Sequence, residues 1–271
     1  MNFNFSLVYI SRERYIESKI PFAGYIFNWA GYVVNPILTS YLYSYKKWTY
    51  LFISLTLQII LFSQTGLKSF LFVYFLALVL LWINEKYGIK RLFHLTPIGL
   101  SFIIILGVIS YWTVNDVWIS SLFIRRSFYV PALLSFYYYD FFSKFGPTFL
   151  SQHRIFRALI NYPYHLAPSH LIGEVYFRRP EMGANNGILG DSYMNFGFWG
   201  IIIWGFIFIL ILKILDSFII EENRKIILGV VAIFANVFVN SALLTSLVTH
   251  GLLILLFLSI LLPKEVKHEK K

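Results

Sequence analysis

Charged residues in this chain come in clusters, and between the clusters lie long runs that hold none. That pattern constrains the fold more than any single motif, because an uncharged helical run of about 20 residues is the length that crosses the hydrocarbon of a bilayer. The runs 20–45, 48–67, 69–84, 92–115 and 192–212 fit this reading, with the tightest part of the fourth at 96–112. The run 226–263 is too long for one crossing and is interrupted at Thr249, His250 and Gly251, so it reads as two helices joined by a tight turn. Only 13% of the residues are charged, where a soluble domain holds about a quarter. The expected fold class is all-α: a polytopic transmembrane helix bundle of about seven spans, with a long extracytoplasmic loop that contains short amphipathic helices. Three parts follow: N-terminal transmembrane helices over 1–113, the loop over 114–191, and C-terminal helices with a cytoplasmic tail over 192–271.

The net charge of +10 would suggest nucleic acid in a soluble protein. Here the bases flank apolar runs, so they report orientation instead. Lys46 and Lys47, then Lys86, Lys90 and Arg91, then Lys213, Arg224 and Lys225, fall on the same side as the tail bases Lys264, Lys267, Lys270 and Lys271. The opposite side keeps Arg12, Arg14, Lys19 and Lys68. The positive-inside rule then predicts the N-terminus outside, the C-terminus inside and the loop 114–191 outside. The first residues carry no signal-peptide pattern, and the absence of cysteine leaves the redox compartment open.

A structureless loop of that length is improbable, so the reading places helices and function in it. The stretches 122–139 and 149–160 are apolar with embedded bases, as amphipathic or re-entrant helices are. Pro131, Pro147, Pro163, Pro168 and Pro180 limit helix lengths. Arg125 and Arg126 sit among aromatic residues, and Arg154 and Arg157 share a helical face with His153 nearby. Guanidinium groups bind phosphate oxygens bidentately and stay charged in a partly dry site. The alternative for each is snorkelling toward lipid headgroups, the reading favoured for Arg178 and Arg179.

Asp140 lies within a run of aromatics, so either a structural partner such as Lys144 accounts for it or it is a base. Asp191 follows Gly190, as a side chain presented to a cleft or as the N-cap of the next span. His170 and Glu174, four apart, are a general-base pair on one helical face, or surface residues behind a Ser169 N-cap. His250 reads as a turn residue, and loop tyrosines and tryptophans as belt residues or sugar-stacking platforms. No repeat, metal-ligand spacing, phosphate loop or nucleophile elbow is apparent, so neither metal nor cofactor is expected.

Two stretches resemble a known family. Arg125-Arg126-Ser127-Phe128-Tyr129-Val130-Pro131-Ala132-Leu133-Leu134, followed by Phe136-Tyr137-Tyr138-Tyr139-Asp140-Phe141-Phe142-Ser143, is similar to the loop signature of bacterial oligosaccharide repeat-unit polymerases, the O-antigen and capsule polymerases of the Wzy type. Ala184-Asn185-Asn186-Gly187-Ile188-Leu189-Gly190-Asp191-Ser192-Tyr193-Met194-Asn195-Phe196-Gly197 resembles their second signature. Gly31-Tyr32-Val33-Val34-Asn35-Pro36 and Thr65-Gly66-Leu67-Lys68-Ser69 resemble the family's earlier helices, so the likeness runs over about 25–215. Longer members carry further spans ahead of this region, which makes the expectation a member shortened at its N-terminus.

The resemblance implies a glycosyltransferase of the bacterial cytoplasmic membrane that needs no cofactor. Its donor and acceptor are undecaprenyl-diphosphate-linked oligosaccharides, and the bilayer, a chain-length regulator and a flippase are its partners, with no nucleic acid. It further implies a catalytic set of Asp191, Asp140 and His170 and a substrate-binding set of Arg125, Arg126, Arg154, Arg157, Tyr139 and Asn186. A groove opening sideways into lipid would leave the polyprenyl tail in the bilayer. The rival readings are a ligase using the same carrier, a flippase or transporter of lipid-linked sugars, and a non-catalytic envelope scaffold. Transporters carry paired repeats and mid-span charges, and neither is visible.

Overall fold

The computed structural model describes residues 22–115, 117, 120–221 and 223–262. Arg12, Arg14, Lys19, Lys264, Lys267, Lys270, Lys271 and the side chain of Arg154 lie outside the described residues. The regular elements among the described residues are all helical: α1 (Ala23–Trp29), a π-helical turn π1 (Ala30–Val34), α2 (Asn35–Ser44), α3 (Trp48–Thr65), α4 (Lys68–Tyr87) and α5 (Ile89–Val114). There follow a second π-helical segment π2 (Ser120–Tyr129), α6 (Val130–Phe145), α7 (Arg154–Arg157), α8 (Pro168–Phe177), α9 (Ile188–Phe218), α10 (Arg224–Asn240), α11 (Leu243–Val248) and α12 (Leu252–Leu261). Of these, α4, α5 and α9 are long and apolar enough to cross a membrane. Their outward side chains suit that solvent: Phe102, Ile105 and Trp112 on α5, and Trp199, Ile202 and Phe206 on α9, are exposed.

The chain forms two compact units, each made of separate stretches. The first takes residues 1–95, 213–235 and 244–271. Its α4 buries Phe70, Val73, Tyr74, Ala77 and Leu81, the spacing of one helical stripe. Gly31 in π1 lies against the Phe70 ring, where a Cβ would come within 2.7 Å of ring carbon. Between these helices runs a buried polar seam. Asn35 Nδ2 donates to Gln58 Oε1 at 2.7 Å and to the Ser54 carbonyl at 3.0 Å. Gln58 Nε2 donates to the Gly31 carbonyl at 3.1 Å and the Phe70 carbonyl at 2.7 Å. The π register breaks the ordinary i→i−4 ladder, and the glutamine reaches a carbonyl at that turn. The run 226–263 breaks near Gly251, whose φ is +85°, as expected, but it breaks a second time at 241–242 and so holds three helices where two were expected. Trp29 Nε1 donates to the Val248 carbonyl at the Gly251 break, at 2.7 Å.

The second unit holds residues 96–212 and 236–243. Its core joins Leu134, Tyr138, Phe141 and Phe142 of α6 to Leu171 and Ile172 of α8 and to Ala184 and Met194. The buried Tyr138 hydroxyl donates to the Ala184 carbonyl at 3.0 Å. The loop differs from expectation in its second half. The helix predicted over 149–160 is a single turn, α7, because Phe149 and Leu150 take left-handed φ of +50° and +63° and stop propagation from that side. Ser169 does not cap α8, which starts at Pro168 with Ala167 in the cap position. Proline there loses no helical bond, since the first amides of a helix have no partner.

Candidate functional site

An apolar cavity of about 580 Å3 opens within the second unit. Ser127 and Phe128 of π2 and Pro131, Ala132 and Ser135 of α6 form one side. Gly187, Leu189, Ser192, Ile201, Trp204 and Phe208 from the α9 region form another, closed by Phe238 and Val239. Local sequence explains this shape. A Cβ at Gly187 would collide with the backbone carbonyl of Val239, so only glycine lets these segments touch. Within α9 the backbone kinks at Phe196 and at Gly197, where φ is +61° and ψ −144°. A void with this lining stays dry or takes an apolar guest, since water needs polar partners.

Arg125 and Arg126 immediately precede the cavity residues Ser127 and Phe128 on π2. Both are exposed, and among the described residues neither forms an ion pair. Arg125 also lines a shallower hollow of about 540 Å3 with Ile124 and Tyr129.

Asp191 is neither an N-cap nor a side chain offered to a cleft. It sits in the first turn of α9 and is 1% exposed. Its Oδ2 accepts from Trp204 Nε1 at 2.9 Å and from the backbone N–H of Leu243 at 3.1 Å. Its Oδ1 accepts from Asn195 Nδ2 at 3.1 Å. Leu243 is the first residue of α11, so the carboxylate satisfies an amide that the helix itself leaves unpaired. Asn195 Oδ1 in turn accepts from Thr148 Oγ1 at 2.8 Å, the Leu150 N–H at 2.9 Å and Gln152 Nε2 at 3.0 Å.

Asp140 has the structural partner expected of it. Lys144 lies 2.7 Å from its carboxylate, and the Tyr176 hydroxyl donates to it at 2.5 Å. The Lys144 ammonium first, then the Tyr176 hydroxyl, hold this carboxyl below its ordinary range. Tyr176 is pushed up, by burial and then by the acid it serves. His170 and Glu174 do not pair with each other: Glu174 meets His165 at 3.0 Å, and His170 Nδ1 lies 2.8 Å from the Pro180 carbonyl. That carbonyl requires Nδ1 to donate, which leaves Nε2 as the acceptor of the neutral ring. Arg157 lies over the Tyr162 ring at 5.3 Å and donates to the Ser151 carbonyl at 3.4 Å. His153 is half-buried, and burial pushes its imidazole below the usual range. Tyr139 packs beside Tyr193 at 4.8 Å and Phe198 at 6.1 Å. Asn186 is buried, and its Nδ2 has no hydrogen-bond partner among the described residues.

The structure thus gathers Asp191 with Trp204, Asn195, Thr148 and Gln152, of which only Asp191 was a candidate. Asn195 was within reach of sequence reasoning, since four residues separate it from Asp191 and the two share a helical face. Trp204 lies beyond the kink, and no helical spacing points to it. Comparison of the chain with protein-family models, with curated proteins and with solved structures finds no match.

Proposed function

We propose that this chain is a multi-span glycosyltransferase that joins oligosaccharide repeat units carried on undecaprenyl diphosphate into an O-antigen or capsular polysaccharide. It works at the outer face of the bacterial cytoplasmic membrane, with seven spans, the N-terminus outside and the C-terminus inside. The observation that carries this reading is an apolar cavity in a unit that contains most of two membrane-length helices, lined by Ser127 and Phe128, which directly follow two exposed arginines that form no ion pair among the described residues. Such a site fits an amphiphile with a long hydrocarbon chain and an anionic head. Arg125 and Arg126 bind the diphosphate and stabilise the charge that develops on it as the glycan leaves. The diphosphate lipid is its own leaving group, so no nucleotide sugar is required. The acceptor hydroxyl needs orientation, and His170 Nε2 is a partly exposed acceptor on the loop that could supply it.

The test is surface glycan length in cells with the gene deleted and restored on a plasmid. Deletion should leave single repeat units, and the plasmid should restore long chains. With Arg125→Ala and Arg126→Ala together, polymer yield should fall by about a hundredfold or more, as when a fixed transition-state donor is removed. Unchanged chain length would remove the arginines from the reaction, and loss of all surface glycan on deletion would favour a ligase or flippase.

A further inference from the structure

The polar contacts behind the cavity form one unbroken line. It starts at the wall, where Trp204 donates to Asp191 at 2.9 Å. It continues through Asn195, whose Nδ2 holds both the Asp191 carbonyl at 2.8 Å and the carboxylate at 3.1 Å. The other end of the same amide holds the turn at 148–152 by three donors. That turn carries two bulky residues in left-handed backbone, Phe149 and Leu150. A conformation this costly persists only where its surroundings fix it, and here they are the Asn195 side-chain amide and the backbone N–H groups of Thr148 and Phe149 donating to the carbonyls of Met194 and Asn195. From Leu150 the line passes to His153 at 2.9 Å and on to Arg157 at 2.9 Å, backbone to backbone.

A base must touch the proton it removes, and Asp191 lies behind a tryptophan with both oxygens occupied. We infer that Asp191 and Asn195 are positioning residues that couple the wall of the cavity to the turn ahead of Arg157. An occupant that presses on Trp204 shifts the Asp191 carboxylate, and Asn195 carries that shift to Leu150 and Gln152. Filling of the cavity is thereby read out as a change in the loop bearing Arg157. Gln152 stands at the sensitive end: its Nε2 is bound to Asn195, while its buried Oε1 has no partner among the described residues. This inference rests on the proposed lipid-carrier site, and its test separates the two.

The natural chain has no cysteine, so Ile155→Cys, at a position 80% exposed, gives one reporter on the loop. The full chain is grown with 5-fluorotryptophan and placed in phosphatidylcholine nanodiscs, the Trp204 19F resonance being assigned through Trp204→Phe. Undecaprenyl phosphate is then titrated in, and the rate at which the introduced thiol reacts with an aqueous maleimide is followed. The Trp204 resonance should move, and labelling should slow by about fivefold, the lower end of ordinary coupling between sites. In Asp191→Asn the resonance should still respond while labelling becomes indifferent to lipid. Gln152→Ala leaves the Trp204 contact intact and should blunt the labelling response alone, which keeps the test decisive where Asp191→Asn loses its fold. A resonance that moves while labelling of the reporter chain stays constant overturns the coupling and leaves the lipid site standing. So does a labelling response that Gln152→Ala leaves undiminished. A resonance indifferent to the lipid overturns both.

Discussion

Asp140 and Asp191 both stand among aromatic side chains, yet their surroundings assign them opposite work. Asp140 is half-exposed and held by Lys144 and Tyr176, which keep its carboxyl below the ordinary 3.8. A depressed carboxyl contributes stability that is complete above its unfolded value and disappears as pH falls through its folded one. The advantage of the wild type over Asp140→Asn should therefore be constant near neutrality, begin to fall below about pH 4 and vanish only below the depressed folded value. Thermal unfolding in detergent across that range checks it, and an advantage that grows on acidification would contradict the ion pair. His153 acts in the same direction for a different reason, since its half-buried neutral ring resists protonation as pH drops below about 6.5. In the first unit, Gln58→Leu would take the side-chain donor from the Gly31 and Phe70 carbonyls and one of two acceptors from the Asn35 amide, which keeps the Ser54 carbonyl. The expected loss is about 1–3 kcal/mol for each buried group left unsatisfied, measured as a lowered midpoint of unfolding. The pairing of Asp140 with Lys144 was legible in the sequence because i and i+4 meet on a helix. The partners of Glu174 were not, because His165 approaches from the loop ahead of α8.

Helices follow from the apolar runs wherever those runs are long, and the described elements fall within or close to the expected segments. What the runs do not specify is where a helix changes register. Neither π turn has a compositional mark, and Ala30–Val34 reads like any apolar stretch. Gly197 is visible in the sequence, but the sign of its φ is not. At +61° with ψ of −144° it occupies backbone that glycine alone adopts at low cost. Gly197→Ala should cost about 1–3 kcal/mol and should straighten or unseat the end of α9 that carries Asp191. Unfolding of the purified variant gives the first quantity, and loss of the Trp204 resonance position gives the second. The 149–160 stretch was misread for a related reason: its apolar spacing suits a helix, while the bonds that hold Phe149 and Leu150 out of helical backbone come from Asn195, far along the chain.

At the scale of the molecule, the proposed topology makes a direct claim on chemistry. In a chain without native cysteine, Gly183→Cys should react with a membrane-impermeant maleimide added outside intact cells, and Lys267→Cys should react only after the membrane is opened. The reverse pattern would invert the orientation drawn from the flanking bases. The membrane class of the fold was legible because it depends on composition summed over long runs. The cavity was not legible. Its apolar wall, from Phe128 to Val239, draws on segments more than a hundred residues apart and leaves no local trace.

The contact between Asp191 and Leu243 has a consequence in time as well as in space. The two residues are 52 apart, so at about 5–20 residues per second the ribosome needs roughly 3–10 seconds to deliver the second after the first. Trp204, 13 residues downstream, arrives early, and the amide of Leu243 arrives last. During that interval the carboxylate stands with its set of donors incomplete. The packing around Asp191 is therefore a late event of biosynthesis, completed only when Leu243 has been made.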